Sequence, residues 1–161
     1  MTGRASISPL YGASQNVFQG KRVMRAAADI FDGTQKALFT VAGGQVVIEC
    51  LHVTVSGAAI DGGASNTKFV MNPTTGTDAD MCAVLDINAD EEGTIYVCPM
   101  NGSTALRGGS GGSAQLNAGG WIAPAGTIDI STAADVGTGG ALGAAHIYWY
   151  PMDDGATVTA A

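Results

Sequence analysis

The sequence predicts an all-β protein, an antiparallel jelly-roll-like sandwich or small barrel with an extended N-terminal arm. Short apolar and β-branched runs are separated by turn residues along the chain, which is typical of such folds. Glycine accounts for 24 of the 161 residues, and charged residues for only 13%, about half the usual share. Hydrophobic residues make up 46% of the chain, so a single domain of this length has enough apolar side chains for a core.

The central prediction is a β-hairpin. Its two apolar runs, 38–41 and 45–55, flank Gly43-Gly44. Glycine adopts positive φ angles without steric cost, so this pair is suited to a tight turn. The second run has the period of a strand with one buried face. The apolar positions that alternate in this run are Leu51, Val53 and Val55.

Further strands are predicted wherever turn residues bound another apolar run. The run at 80–88 is expected to pair with the run at 94–99 as a second hairpin. In the most aromatic run, 145–151, alternation places Ile147 and Trp149 on one face and the histidine and tyrosines on the other. The remaining predicted strands are Thr67–Met71, Gly120–Pro124, Thr127–Ser131 and Thr157–Thr159.

The N-terminal segment differs from the rest of the chain in charge. Residues 1–36 carry a net charge of +3, whereas residues 37–161 carry −10. We predict that residues 1–36 form a basic N-terminal arm with a short helix or strand, and that residues 37–161 form the β domain. The arm is expected to dock on an acidic surface. The side chains expected to make this contact are Arg4, Lys21, Arg22 and Arg25.

Charge and hydropathy argue against two classes of partner. The net charge of −7 disfavours general nucleic-acid binding, because a basic face is needed to displace phosphate counterions. No apolar run approaches the ~20 residues that span a bilayer. Residues 1–19 lack the apolar centre of a signal peptide. We therefore expect neither a nucleic-acid partner nor a membrane partner.

The three cysteines predict neither a disulfide framework nor a zinc site, because their number is odd and no CxxC spacing occurs. Each cysteine lies in an apolar run, which indicates a buried free thiol and folding in a reducing compartment. These residues are Cys50, Cys82 and Cys98.

Two motifs with chemical potential are incomplete. Asp86-x-Asn88-x-Asp90 resembles the start of a calcium loop, but the glycine and the bidentate glutamate that complete such a loop are absent. Ser110 lies in a Gly-x-Ser-x-Gly sequence that lacks the flanking strand and helix of a nucleophile elbow. Neither motif therefore predicts a metal site or a catalytic serine.

Cys50 and His52 are two residues apart and face the same side of a predicted strand. A Cys–His nucleophile pair is conceivable there, although packing is the commoner role for such a pair. We therefore predict that the protein is not an enzyme and has no catalytic residues, no metal and no cofactor.

Large aromatic side chains are concentrated late in the chain. Trp121, Tyr148 and Tyr150 are suited to contacts between subunits, where tyrosine and tryptophan are enriched. The same three side chains are suited to stacking on sugar rings, as in carbohydrate-binding modules. The sequence leaves these alternatives open.

Four segments resemble small virion proteins of tailed bacteriophages. In chain order they are LFTVAGGQVVIECLHVTV, MNPTTGTDADMCAVLDINADEEGTIYV, APAGTIDISTAADVGTGG and YWYPMDDGATVTAA. The most distinctive matches are Asn72–Asp80, Leu85–Ala89 and Tyr150–Ala161. The class closest to this pattern is that of capsid decoration, or cement, proteins similar to those of marine siphoviruses.

The resemblance implies a structural function. A decoration protein of this kind is a homotrimer that caps symmetry axes of the head lattice, binds the major capsid protein from outside and stabilises the shell. The resemblance also implies synthesis in the host cytoplasm and a final location on the virion. No catalytic residues accompany it.

Two alternatives from other classes stay open. A tail-associated virion protein, such as a tail-tube or fibre-associated β module, would use the long Gly/Ser-rich segment 101–118 as an exposed loop. A carbohydrate-binding module would use the aromatic side chains of Trp121, Tyr148 and Tyr150. A hexamer in solution would favour the tail, and a trimer would favour the head.

Overall fold

The computed structural model describes residues 20–61, 63–102, 104–109 and 120–161. In these ranges the chain forms β-strands and no helix. None of the described segments has the length and apolar character of a helix that crosses a lipid bilayer. The strands are β1 Lys21–Ala28, β2 Gln35–Ala42, β3 Val46–Ser56, β4 Asn66–Pro73, β5 Ala79–Asp80, β6 Leu85–Asp86, β7 Ile95–Val97, β8 Arg107–Gly109, β9 Trp121–Ala123, β10 Gly126–Thr132, β11 Leu142–Pro151 and β12 Thr157–Ala160.

The strand order is that of a jelly-roll sandwich. The first sheet runs β1-β11-β3-β7-β8, and β9 pairs with β3 on the same edge as β7. The second sheet runs β12-β2-β10-β4-β5, and β6 also pairs with β4. From β1 to β4 the chain changes sheet at every connection, as the two Greek keys of a jelly roll require. The predicted sandwich is confirmed, and the two sheets do not close into a barrel.

The core lies between the sheets and is filled by alternate side chains of each strand. Leu51 of β3 and Ile147 and Trp149 of β11 are buried there, which confirms the face predicted for the aromatic strand. Phe31 and Tyr96 meet edge to face, with ring centroids 6.4 Å apart. Burial of each such side chain contributes about 1.5–3 kcal/mol. All three cysteines are buried free thiols, as predicted.

The hairpin predicted for the runs 38–41 and 45–55 is wrong. β2 lies in the second sheet and β3 in the first, so the turn at Gly43-Gly44 carries the chain between sheets. The φ angles of these glycines are 75° and 143°. A β carbon on Gly43 would clash with the carbonyl oxygen of Gly155. Apolar residues alternate and glycines occupy the turn both in a hairpin and in a connection between two sheets. The sequence pattern of 38–55 could therefore not distinguish the two.

The hairpin predicted for the runs 80–88 and 94–99 is also wrong. β5 and β6 pair with β4 in the second sheet, whereas β7 pairs with β3 in the first. The acidic turn between the runs is thus another crossover. Ile87 before the turn and Tyr96 after it are both buried, because each contributes to the space between the sheets.

The described part of the predicted arm belongs to the sandwich. Lys21–Ala28 forms β1, the strand alternative of the two predicted, and pairs with β11 along the edge of the first sheet. The charged residues of this segment interrupt the apolar alternation by which a strand is recognised in a sequence. In the structure Val23 nevertheless faces inward beside Ile147. The boundary predicted at residue 36 therefore does not separate an arm from a body. Residues 1–19, which include Arg4, lie outside the described residues.

Substitution of Gly43 by alanine should destabilise the protein far more than the same change at Gly93. Both glycines have positive φ angles, 75° and 87°, so alanine costs about 1 kcal/mol of backbone strain at either site. Only Gly43 also has backbone atoms where the new methyl group must lie. Overpacking should add about 1–3 kcal/mol to the Gly43→Ala change. Urea unfolding measures both values, and equal losses would contradict the close packing of this crossover.

Candidate functional site

The most distinctive surface is the side of the first sheet that faces away from the core, called the outer face below. It is formed by β1, β11, β3 and β9, and strand register places its side chains in rows across the sheet. Alternation along each strand sends every second residue outward. The members of the outer face include Arg22, Met24, Val47, His52, Ile122, His146, Tyr148 and Tyr150.

One row of the outer face is apolar. Tyr150 pairs with Val47, and Val47 pairs with Ile122, so the three side chains are neighbours on adjacent strands. Ile122 is 55% exposed and Tyr150 is 42% exposed. On the β1 side, Met24 is 56% exposed. A sheet face that leaves such side chains in water has the character of a contact surface.

The next feature of the outer face is a pair of stacked histidines. His52 and His146 are cross-strand partners, with ring centroids 4.7 Å apart and planes inclined by 12°. The Arg22 guanidinium donates to His146 Nδ1 at 3.0 Å. Arginine is a donor only, so Nδ1 of His146 must be the unprotonated ring nitrogen. The contact therefore favours a neutral imidazole at position 146.

The environment of these histidines keeps them neutral. Burial, followed by the charges of His146 and Arg22, lowers the pKa of His52 to about 4. Burial and then Arg22 also lower the pKa of His146. The Cys50 sulfur lies 3.8 Å from His52 Nδ1, but burial and then Glu49 raise the pKa of this thiol to about 11. At neutral pH the pair consists of a thiol and a neutral imidazole, which disfavours a thiolate nucleophile.

The predicted contact residues of β1, which are Lys21, Arg22 and Arg25, do not all lie on the same side of the strand. Arg22 lies on the outer face, paired with Tyr148. Lys21 holds its ammonium group 5.1 Å from the centre of the Trp149 ring, a cation–π contact. The half-buried Arg25 donates from Nε to the carbonyl oxygen of Ala161 at 3.3 Å. Of these three predicted contact residues, only Arg22 therefore belongs to the outer face.

The predicted aromatic group is only partly assembled. Tyr148 and Tyr150 share the outer face, but Trp121 pairs with the buried Ile48 and packs against the core. On β9 it is Ile122, and not Trp121, that lies beside Val47 and Tyr150 on the outer face. A β-bulge after Tyr148 sets this register. Neither the position of the bulge nor the pairing of the two histidines can be predicted from a single sequence.

The motif that resembles the start of a calcium loop, Asp86-x-Asn88-x-Asp90, is engaged in hydrogen bonds within the protein. Asp86 Oδ1 accepts from the Ser65 amide at 2.9 Å, and Asp90 Oδ2 accepts from the Tyr96 hydroxyl at 2.8 Å. Asn88 Oδ1 accepts from a backbone amide at 2.8 Å. Within the described ranges, no group of three or more histidine, cysteine or acidic side chains is arranged to hold a metal ion.

No protein-family model, no curated protein and no solved structure matches the chain.

Lowering the pH from 7 to 5 should destabilise the protein by about 1–2 kcal/mol, after allowance for the partial exposure of the histidines. The unfolded chain protonates both imidazoles near pH 6.5, whereas the folded chain resists protonation at His52 until about pH 4. Their contribution is therefore complete above pH 6.5 and is lost as the pH falls. Urea unfolding at each pH measures the change.

The matched variant for this experiment is His52→Gln, which keeps a polar side chain that does not titrate. Its free energy of unfolding should fall less between pH 7 and pH 5. The other groups that face the histidines are Arg22 from β1, Cys50 from β3, Tyr148 from β11 and the uncharged Val97 from β7. An identical pH dependence in both proteins would assign the effect to groups other than His52.

Proposed function

We propose that the protein is a structural phage virion protein that binds the outside of the capsid as a homotrimer and stabilises the head lattice. The observation that carries this proposal is the outer face, where exposed apolar side chains lie beside a basic edge strand. The resemblance of the sequence to virion decoration proteins supplies the partner, the major capsid protein. Decoration requires a folded body with two contact regions, one for its own copies and one for the shell.

The apolar row supports the contact between copies. Tyr150, Val47 and Ile122 lie side by side on a hydrogen-bonded sheet, so few backbone conformations are lost when the row is covered. Each square ångström of apolar surface removed from water is worth about 25 cal/mol. Tyrosine and large apolar side chains are typical of the core of a protein interface, and polar side chains of its rim. Arg22, which pairs with Tyr148, lies beside this row.

The edge strand β1 supports the contact with the shell. It contains Lys21, Arg22 and Arg25 and no acidic residue, although the chain as a whole is acidic. Lys21 and Arg22 are exposed, so an acidic capsid surface would attract and orient this edge. Arg25 is turned inward toward Ala161 and contributes less. Arg4 precedes β1 in the sequence and extends the same positive charge.

A tail-associated protein is the alternative, because the same apolar row would also serve a hexameric ring. Of the segment 101–118, residues 107–109 form β8, and residues 110–119 lie outside the described residues. A carbohydrate-binding module is less favoured, since Trp121 lies on the core side and does not complete a platform with the tyrosines.

The purified protein should have a mass of about 48 kDa in solution, three times the chain mass of 16.1 kDa. Ile122→Asp should yield monomers, because it places a charge in the apolar row. The matched control is Val84→Asp, since Val84 is 46% exposed but lies between β5 and β6 of the second sheet. Light scattering behind size exclusion measures the masses. A wild-type monomer, or a trimer insensitive to Ile122→Asp, would contradict this contact.

Arg22→Glu should weaken binding to capsid shells by about tenfold or more, because a close charge pair is worth on the order of 1.5 kcal/mol or more. Lys68→Glu is the control, since it makes the same change of charge on the second sheet, where Lys68 pairs with Asp80. The assay is co-sedimentation with shells assembled from the major capsid protein of the same genome. Removal of residues 1–19 should also weaken binding without unfolding the sandwich. Equal binding by Arg22→Glu and Lys68→Glu would contradict the role of β1.

A further inference from the structure

We propose that Cys82 and Cys98 form a buried dithiol that hydrogen peroxide converts to a disulfide joining the two sheets. The oxidation site lies inside the sandwich and is independent of capsid binding. Three observations carry it: the two cysteines belong to different sheets, the Cys98 sulfur lies against the carbonyl group that precedes Cys82, and the third cysteine lies on the other side of β3.

Each cysteine is fixed to its own sheet by a backbone contact. Cys82 follows β5, and its sulfur accepts a hydrogen bond from the Phe69 amide of β4 at 3.3 Å. Cys98 follows β7, and its amide donates to the carbonyl oxygen of Leu51 in β3 at 2.9 Å. The first cysteine is therefore held by the second sheet and the other by the first sheet.

The two thiols meet in the space between the sheets. The Cys98 and Cys82 side chains lie close enough that each thiol shifts the pKa of the other. The Cys98 sulfur also lies 3.6 Å from the carbonyl oxygen of Met81, the residue that precedes Cys82. Both cysteines are buried. A disulfide at this point would link a residue held by β4 to a residue held by β3.

The surroundings assign different roles to the two sulfurs. Hydrogen bonds from Cys98 and from the Phe69 amide lower the pKa of Cys82. Burial, followed by the contact with Cys82, raises the pKa of Cys98. Because the thiolate is the reactive form, Cys82 is the sulfur that attacks the oxidant and Cys98 the one that resolves the product.

The reaction balances with one peroxide for each disulfide. The Cys82 thiolate attacks a peroxide oxygen, the O–O bond breaks, and Cys82 becomes a sulfenic acid while hydroxide leaves. The Cys98 sulfur then attacks the Cys82 sulfur, the S–O bond breaks, and the Cys98 proton leaves with the hydroxyl group as water. The proton that Cys82 had released converts the first hydroxide to water. Peroxide is small enough to reach buried thiols through local opening of the sandwich.

Cys50 is excluded from this pair by its position. It belongs to the opposite side of β3 from Leu51 and pairs with Tyr148 of the outer face. Its sulfur contacts His52, and its raised pKa reduces its reactivity. Cys50 therefore provides an internal control for selectivity.

Peptide mapping tests the proposal directly. The full chain is treated with hydrogen peroxide, then with catalase, denatured in N-ethylmaleimide and digested with trypsin. Residues 69–107 are released as one peptide that contains both cysteines, because Lys68 and Arg107 are the flanking cleavage sites. This peptide should carry no maleimide and weigh about 2 Da less than its dithiol form until dithiothreitol reduces it. Cys50, in residues 37–68, should carry maleimide.

Variants and stability complete the test. Cys50→Ser should still give the lighter peptide, whereas Cys82→Ser and Cys98→Ser should not. Because a core serine can unfold the chain, the wild-type peptide decides the matter. The oxidised Cys50→Ser protein should also unfold at a higher temperature than its reduced form, because the bond closes a loop in the unfolded chain. Two maleimides on residues 69–107 after oxidation, or a disulfide to Cys50, would overturn the proposal.

Discussion

The arrangement of the sheets depends on two crossovers that touch at one end of the sandwich. The chain changes sheet at Gly43-Gly44, between β2 and β3, and again at Gly155, between β11 and β12. Gly43 approaches the Gly155 carbonyl too closely for any β carbon, and Asp153 Oδ2 accepts from the Gln45 amide at 2.7 Å. Because the turns are held together, β3 lies beside β11 in one sheet and β2 lies beside β12 in the other.

β3 uses both of its sides for different purposes as a result. Val46, Ile48 and Leu51 are buried against the second sheet, whereas Val47 and His52 face outward. The backbone of the outer face is fixed by antiparallel hydrogen bonds on both edges of the strand. Its side chains are thus held in place by packing on the opposite side, which lowers the conformational entropy that a partner has to overcome.

Local structure was accessible from the sequence, but strand partners were not. Alternation in 145–151 correctly placed Ile147 and Trp149 in the core, because burial of one sheet face imposes a period of two. The same period occurs in a hairpin and in a crossover, so the pairing of β2 with β12 could not be read from it. Trp121 joined the core because the bulge after Tyr148 sets the register of β3, and a bulge depends on packing across the sheet.

A change in the core between the sheets can therefore alter the stability of the protein without altering the outer face. Cys98 lies beside Leu51, five residues along β3 from its first residue, Val46. A bond there would restrain the two sheets well away from the crossover at Gly43. It would leave the outer side chains of β3 unaltered, because successive residues of a strand point to opposite faces. Oxidation in the core should consequently change how firmly the sheets are joined without changing the surface that a partner meets.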